Sequence, residues 1–184
     1  MKESEGAKQQ MRKEMTDLGG SKAIEMAEGY NEAMEKMFHQ GMAPKDALGM
    51  NAQLLESIYA QAYRLYNTGK YVEAIHLFRV LILLNTAEAK YTLGLAACFH
   101  MLKEYQNAIQ AYTMCSVIDP TSPLPYYHIS DCFIQMKDAL SAMISLQMSL
   151  EKAGDRTEYA KLKERASLTL ENLKSQTGVN TSSG

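Results

Sequence analysis

From Leu55 to Leu150, apolar and polar positions recur with a period of 34 residues, and the recurring positions are those at which two antiparallel helices touch. Ala74, Ala108 and Ala142 stand one period apart, with Phe78, Tyr112 and Leu146 one helical turn after each and Ala62, Ala96 and Ser130 on the preceding helix. Small side chains let helix backbones approach, and large ones fill the space beside them. Leu65, Phe99 and Phe133 recur on the first helix of each unit, and Tyr71, Tyr105 and Ala139 at the turn between helices. The pattern predicts an all-α chain of three helix pairs over 55–156, divided as 55–88, 89–122 and 123–156.

A helix pair repeated at this period is the tetratricopeptide pattern, whose units stack into a superhelical array. Turn signals agree with the division. Asn67-Thr68-Gly69 breaks the first unit, Asp119-Pro120-Thr121-Ser122-Pro123 separates the second from the third, and Gly154-Asp155 ends the third. Ahead of the array, 21–54 reads as an N-terminal helical segment. Ala23, Ala27, Tyr30, Met34, Met37 and Phe38 recur at helical spacing until Gly41 and Pro44, and a shorter helical stretch follows near Asp46–Met50. Beyond the array, 157–175 reads as a capping helix from Thr157 to Lys174. Its Tyr159, Leu162, Ala166, Leu170 and Leu173 form one face. Residues 1–20 lack apolar periodicity and are expected to be a mobile extension, and 176–184 a disordered tail.

Composition narrows the function classes. The chain has 184 residues, 46% of them hydrophobic, with no run of about 18 apolar residues and no apolar leader, so a cytosolic protein is expected. Its net charge of −2 argues against a nucleic-acid surface. Three cysteines, Cys98, Cys115 and Cys132, fall inside predicted helices and suit reduced, packed side chains.

The first helix of each unit lines the concave side of such an array, so its outward stripe is the candidate binding surface. In the first unit Ile58, Ala62 and Leu65 take the packing positions. Tyr59, Tyr63 and Tyr66 run one residue along, rotated by about 100°. Tyrosine offers a wide apolar ring and a hydroxyl that stays hydrated when no partner is bound. The equivalent stripes are Leu93, Ala97 and His100 in the second unit, and Tyr127, Asp131 and Ile134 in the third. The competing reading is that the tyrosines cover a neighbouring helix. Thirteen methionines, crowded toward the N-terminus, suit adaptable contacts, and Tyr30, Met34, Met37 and Phe38 form a candidate dimer face.

Chemistry finds little support. There is no Gly-rich phosphate loop and no nucleophile–base layout, so no enzyme and no cofactor are expected. His128 and Cys132 lie one turn apart, with Cys98 one period earlier, a spacing that can hold zinc. Without an evident fourth ligand, no metal site is assigned.

Longer stretches carry a family resemblance. Leu54-Leu55-Glu56-Ser57-Ile58-Tyr59-Ala60-Gln61-Ala62-Tyr63, continuing through Tyr66-Asn67-Thr68-Gly69-Lys70-Tyr71, resembles the first repeat of the class II chaperones of bacterial type III secretion. Tyr91-Thr92-Leu93-Gly94-Leu95-Ala96-Ala97-Cys98 is similar to their second repeat, and Pro123-Leu124-Pro125-Tyr126-Tyr127-His128 with Asp131-Cys132 to the start of their third. The likeness covers about residues 42–173, while the charged N-terminal extension is longer, and the net charge nearer neutral, than is usual in that family.

The resemblance implies a cytoplasmic bacterial chaperone that binds an extended segment of a hydrophobic translocator in its concave groove and keeps it soluble before export. Carried over residue by residue, the groove positions are Tyr59, Tyr63, Tyr66, Leu93, Ala97, His100 and Tyr127. The resemblance also implies a homodimer and gives no reason to expect a metal or cofactor. A general tetratricopeptide scaffold binding another peptide is the alternative. The carboxylate clamp of heat-shock co-chaperones is missing, because its positions read Tyr59, Tyr63, Gly94, Leu124 and His128.

Overall fold

A computed structural model describes residues 21–178, and side chains at 28, 29 and from 31 onward. The expected extension at 1–20 and the end of the tail at 179–184 lie outside the described residues. The described residues fall into two compact units, one ending at Leu55 and the other beginning at Glu56.

The first unit contains α1 (Ser21–Gln40) and the single turn α2 (Pro44–Ala47). Gly41, at φ +66°, ends α1 in a left-handed conformation that glycine adopts without a Cβ penalty. Proline at the start of α2 supplies a preset φ where its missing N–H costs nothing. This turn therefore comes two residues earlier than the hydrophobic spacing near Asp46–Met50 indicates.

The array follows as α3 (Ala52–Asn67) and α4 (Tyr71–Leu84), α5 (Ala89–Met101) and α6 (Tyr105–Ile118), and α7 (Leu124–Gln135) and α8 (Ala139–Ala153). A 3₁₀ turn at Thr157–Tyr159 leads into α9 (Ala160–Thr177). The last helix thus starts as a tighter coil and runs past Lys174, two residues into the expected tail, to a left-handed cap at Gly178. Helix α3 likewise begins three residues before the expected start of the first repeat.

The period is visible atom by atom. Ala74, Ala108 and Ala142 are fully buried, as are Ala62 and Ala96, and Phe78, Tyr112 and Leu146 fill the space beside them. Each turn within a unit closes the same way. The amides of Lys70, Glu104 and Asp138 donate to the carbonyls of Leu65, Phe99 and Phe133, each at 2.9 Å. Those of Gly69, Lys103 and Lys137 donate to Tyr66, His100 and Ile134 at 3.0, 2.9 and 3.0 Å. This paired closure satisfies two orphan carbonyls of the first helix and requires a left-handed residue at its centre. Gly69, Lys103 and Lys137 fill that position, at φ 78°, 62° and 61°.

Successive units pack through α5 and α6 against α7. Ala96, Ala108, Ala111, Tyr112, Ile129 and Cys132 form a buried cluster bordered by Leu93, Phe99 and Phe133. The open end of the third unit is covered by α9, where Ala166 and Leu170 meet Met143 and Leu146. The buried Ser149 hydroxyl donates to the Pro123 carbonyl at 3.0 Å, tying α8 to the loop that starts its unit.

Candidate functional site

The outward stripe of α3 forms a ladder of rings. Tyr59 and Tyr63 lie near-parallel with centroids 6.3 Å apart, and Tyr63 and Tyr66 repeat the arrangement at 6.4 Å. The ladder is anchored at both ends. Tyr59 meets Phe78 edge-on at 6.1 Å and Tyr91 at 5.8 Å, and Tyr66 meets Tyr71 edge-on at 5.5 Å. Tyr63 stands between them, 52% exposed. The outer two rings brace neighbouring helices, and the middle one presents an exposed face. Burial raises the hydroxyl pKa of Tyr59 and Tyr66, so both remain neutral donors.

Lys90 closes one end of this surface. Its ammonium donates to the Glu56 carboxylate and lies 4.8 Å from the Tyr59 ring centre and 5.6 Å from that of Tyr91. Glu56 and Lys90 are one repeat apart, so a single ion pair with a cation–π contact links the first helices of adjacent units. Their types differ between units, and neither position belongs to the recurring packing set.

Across α5, α6 and α7 the surface changes character. His100 donates through Nε2 to Asp131 Oδ2 at 3.0 Å, and its Nδ1 lies 3.5 Å from the Tyr112 hydroxyl. The Tyr112 ring stacks on His128 at 5.2 Å, and His128 meets Tyr127 edge-on at 5.7 Å. The Asp131 carboxylate raises the His100 pKa to about 9, so the imidazole is charged at neutral pH. The same bond lowers Asp131. Burial lowers His128, with the charge on His100 adding to the effect, so His128 is neutral.

The expected groove residues thus divide into two groups. Tyr59, Tyr63 and Tyr66 come together in one ladder, while His100 and Tyr127 both contact His128. Leu93 borders the buried cluster of the second unit, and Tyr127 packs beneath the capping helix. Ala97 is half-buried between its neighbours on α5. In the first unit Met34 and Met37 are half-buried and Phe38 is 75% exposed, whereas the Tyr30 side chain lies outside the described residues.

Several contributors were not singled out in the sequence. Tyr112 appears there as a repeat position and Tyr91 only within the stretch that resembles a second repeat, and their contacts with Tyr59 and His128 are ones that periodicity does not specify. His128, considered there as a metal ligand, is held against Tyr112. Among the described residues, no group of three or more His, Cys, Asp or Glu side chains converges as a metal site would require. Cys98, Cys115 and Cys132 are free and buried, and burial pushes the Cys98 thiol up to about 12 and Cys115 to about 11. No helix among the described residues is long and apolar enough to cross a membrane.

Comparison with known proteins adds relatives to this geometry. The family described as "Anaphase-promoting complex, cyclosome, subunit 3" matches residues 30–115. Low calcium response locus protein H of Yersinia pestis is 30% identical over 145 residues, which is 79% of this chain and 86% of that protein. Among solved structures, the type III secretion translocator chaperone SycD of Yersinia enterocolitica, in an alternative dimer, is 29% identical with a TM-score of 0.67. The match covers 69% of this chain and 96% of SycD. SycD in complex with a peptide of the translocator YopD matches at 29% identity and a TM-score of 0.66, over 69% of this chain and 97% of that one.

Proposed function

The chain belongs to the family of type III secretion translocator chaperones, and on that footing we propose that it holds an extended segment of a hydrophobic translocator on the surface formed by α3, α5 and α7. The observation that carries this reading is the tyrosine ladder with its exposed central ring. Tyr59 and Tyr66 are fixed by Phe78, Tyr91 and Tyr71, so little side-chain entropy is lost when a client docks. Three apolar client side chains entering such a surface each gain about 1.5–3 kcal/mol before ordering costs. Micromolar binding, about −8 kcal/mol, therefore requires main-chain hydrogen bonds and further contacts along the segment besides these three.

The activity is binding without catalysis, in the bacterial cytoplasm, before export. Covering apolar client segments there prevents self-association of a protein destined for a membrane. The groove set is Tyr59, Tyr63, Tyr66, Leu93, Ala97, His100 and Tyr127, with Tyr63 the most accessible tyrosine. A homodimer forms through α1, using Tyr30, Met34, Met37 and Phe38. Deleting residues 1–40 should yield a monomer by light scattering, and a dimer that persisted would exclude that face.

The function is tested by co-expressing the full chain with the translocators of the source bacterium and identifying soluble, co-eluting proteins by mass. Wild type should keep a translocator soluble, and Tyr63→Ala should recover far less. Failure of wild type to retain any translocator would favour a general peptide-binding scaffold.

A further inference from the structure

The surface of α5 and α7 is apolar at Leu93, Ala97, Tyr127 and Ile134, yet it carries one polar pair, His100 and Asp131. Their geometry is asymmetric. The His100 side chain is 17% exposed and buttressed by Tyr112, which is buried, whereas the Asp131 side chain is 47% exposed. His100 occupies one carboxylate acceptor site, Gln135 on the same helix takes another, and a carboxylate offers about four. An acceptor is thus held rigidly on an otherwise apolar surface with lone pairs to spare.

We infer that Asp131, oriented by His100, is the groove's polar anchor for the main chain of the bound segment and accepts one backbone N–H from it. The inference rests on the groove reading above and adds a rule of selection. Because the imidazolium offsets the carboxylate charge, the pair favours a neutral donor over a lysine or arginine. An extended backbone presents such a donor at every residue except proline. The client register facing Asp131 must therefore carry a residue other than proline, while other registers accept one. His100 is a positioning residue, and His128, neutral and stacked on Tyr112, adds no competing donor charge.

The experiment begins with overlapping 15-residue peptides that tile the co-purified translocator. The tightest binder is resynthesised as a series in which each peptide has one backbone amide N-methylated. Calorimetry on the full-length wild type and on Asp131→Ala then gives a coupling at each register. One register should weaken about tenfold on N-methylation with wild type, the size of one hydrogen bond, and under about twofold with Asp131→Ala. Asp131→Leu, which is of similar size and has no acceptor, provides the same comparison should the alanine variant lose its helical melt. Equal N-methylation losses on wild type and variant at every register would overturn the anchor while leaving groove binding intact. Absence of binding by every tiled peptide would overturn the groove reading and the anchor together.

Discussion

Replacing Gly94 with alanine should destabilise the protein, although alanine is the better helix former. Gly94 lies inside α5, where the intrinsic gain from Gly to Ala is about 1 kcal/mol. A Cβ at this position would sit 2.4 Å from Phe78 Cε1 and Cζ and 2.9 Å from Cδ1. The Phe78 ring is 1% exposed and meets Tyr59 edge-on, so it cannot swing aside without disturbing its neighbours. Overpacking of a filled core costs about 1–3 kcal/mol, and contacts this short belong near the upper end. The net loss is therefore about 1–2 kcal/mol. Urea denaturation followed by circular dichroism reads it directly. A second variant tests the cause: Phe78→Leu should cost about 2 kcal/mol alone but less beside Gly94→Ala, because the clash is then relieved. Gly94→Ala as stable as wild type, or additive costs in the double variant, would show that Phe78 and a residue-94 Cβ do not clash. The effect should also reach the groove, because Phe78 supports Tyr59.

Lys103→Gly and Lys137→Gly should each stabilise the chain by about 0.5–1 kcal/mol in thermal melts, because both lysines hold left-handed φ values and glycine removes that strain at some entropic cost. Gly69→Ala should do the opposite, and a stable Gly69→Ala would show that the turn relaxes. For pH, the folded His100 pKa is raised above its unfolded value, so its pair with Asp131 contributes fully below about pH 6.5 and is lost as pH rises through about 9. Wild type should therefore lose about 1–2 kcal/mol more than His100→Gln between pH 7 and pH 10, a charge-assisted bond discounted for the half-exposed Asp131. Parallel pH profiles would assign the bond no energetic role. Native Cys98, Cys115 and Cys132 should resist disulfide-exchange labelling at pH 8 and react at the rate of unfolding, given their burial. Immediate labelling of all three would contradict that packing.

The array was legible because its packing is periodic: the buried Ala74, Ala108 and Ala142 declare themselves by fixed spacing along the chain. Its turns were legible only in part. Gly69 announces the first, but the same left-handed position holds Lys103 and Lys137, residues with no local preference for it, and the period alone locates them. The tyrosine ladder could be read from helical spacing. Which of its rings is free could not, since that depends on Phe78, Tyr91 and Tyr71 arriving from other helices. Leu93 and Tyr127 share the stripe by spacing yet lean into core clusters, because a half-buried helix position serves both faces. The least legible feature is a substitution across the repeat: Phe78 rests on Gly94, and at the same register one unit later Tyr112 rests on His128. His128, whose spacing from Cys132 could hold zinc, there stacks on a buried tyrosine.

Whether the client lies along α3 and α5 is read most directly by site-specific photo-crosslinking with the translocator bound. A benzophenone side chain is introduced at Tyr63 or Ala97, and at Leu168 on the capping helix as the exposed control. Crosslinks to one short translocator segment are expected from positions 63 and 97 and none from 168. A translocator that stays bound and soluble yet crosslinks at neither 63 nor 97 would contradict binding along α3 and α5.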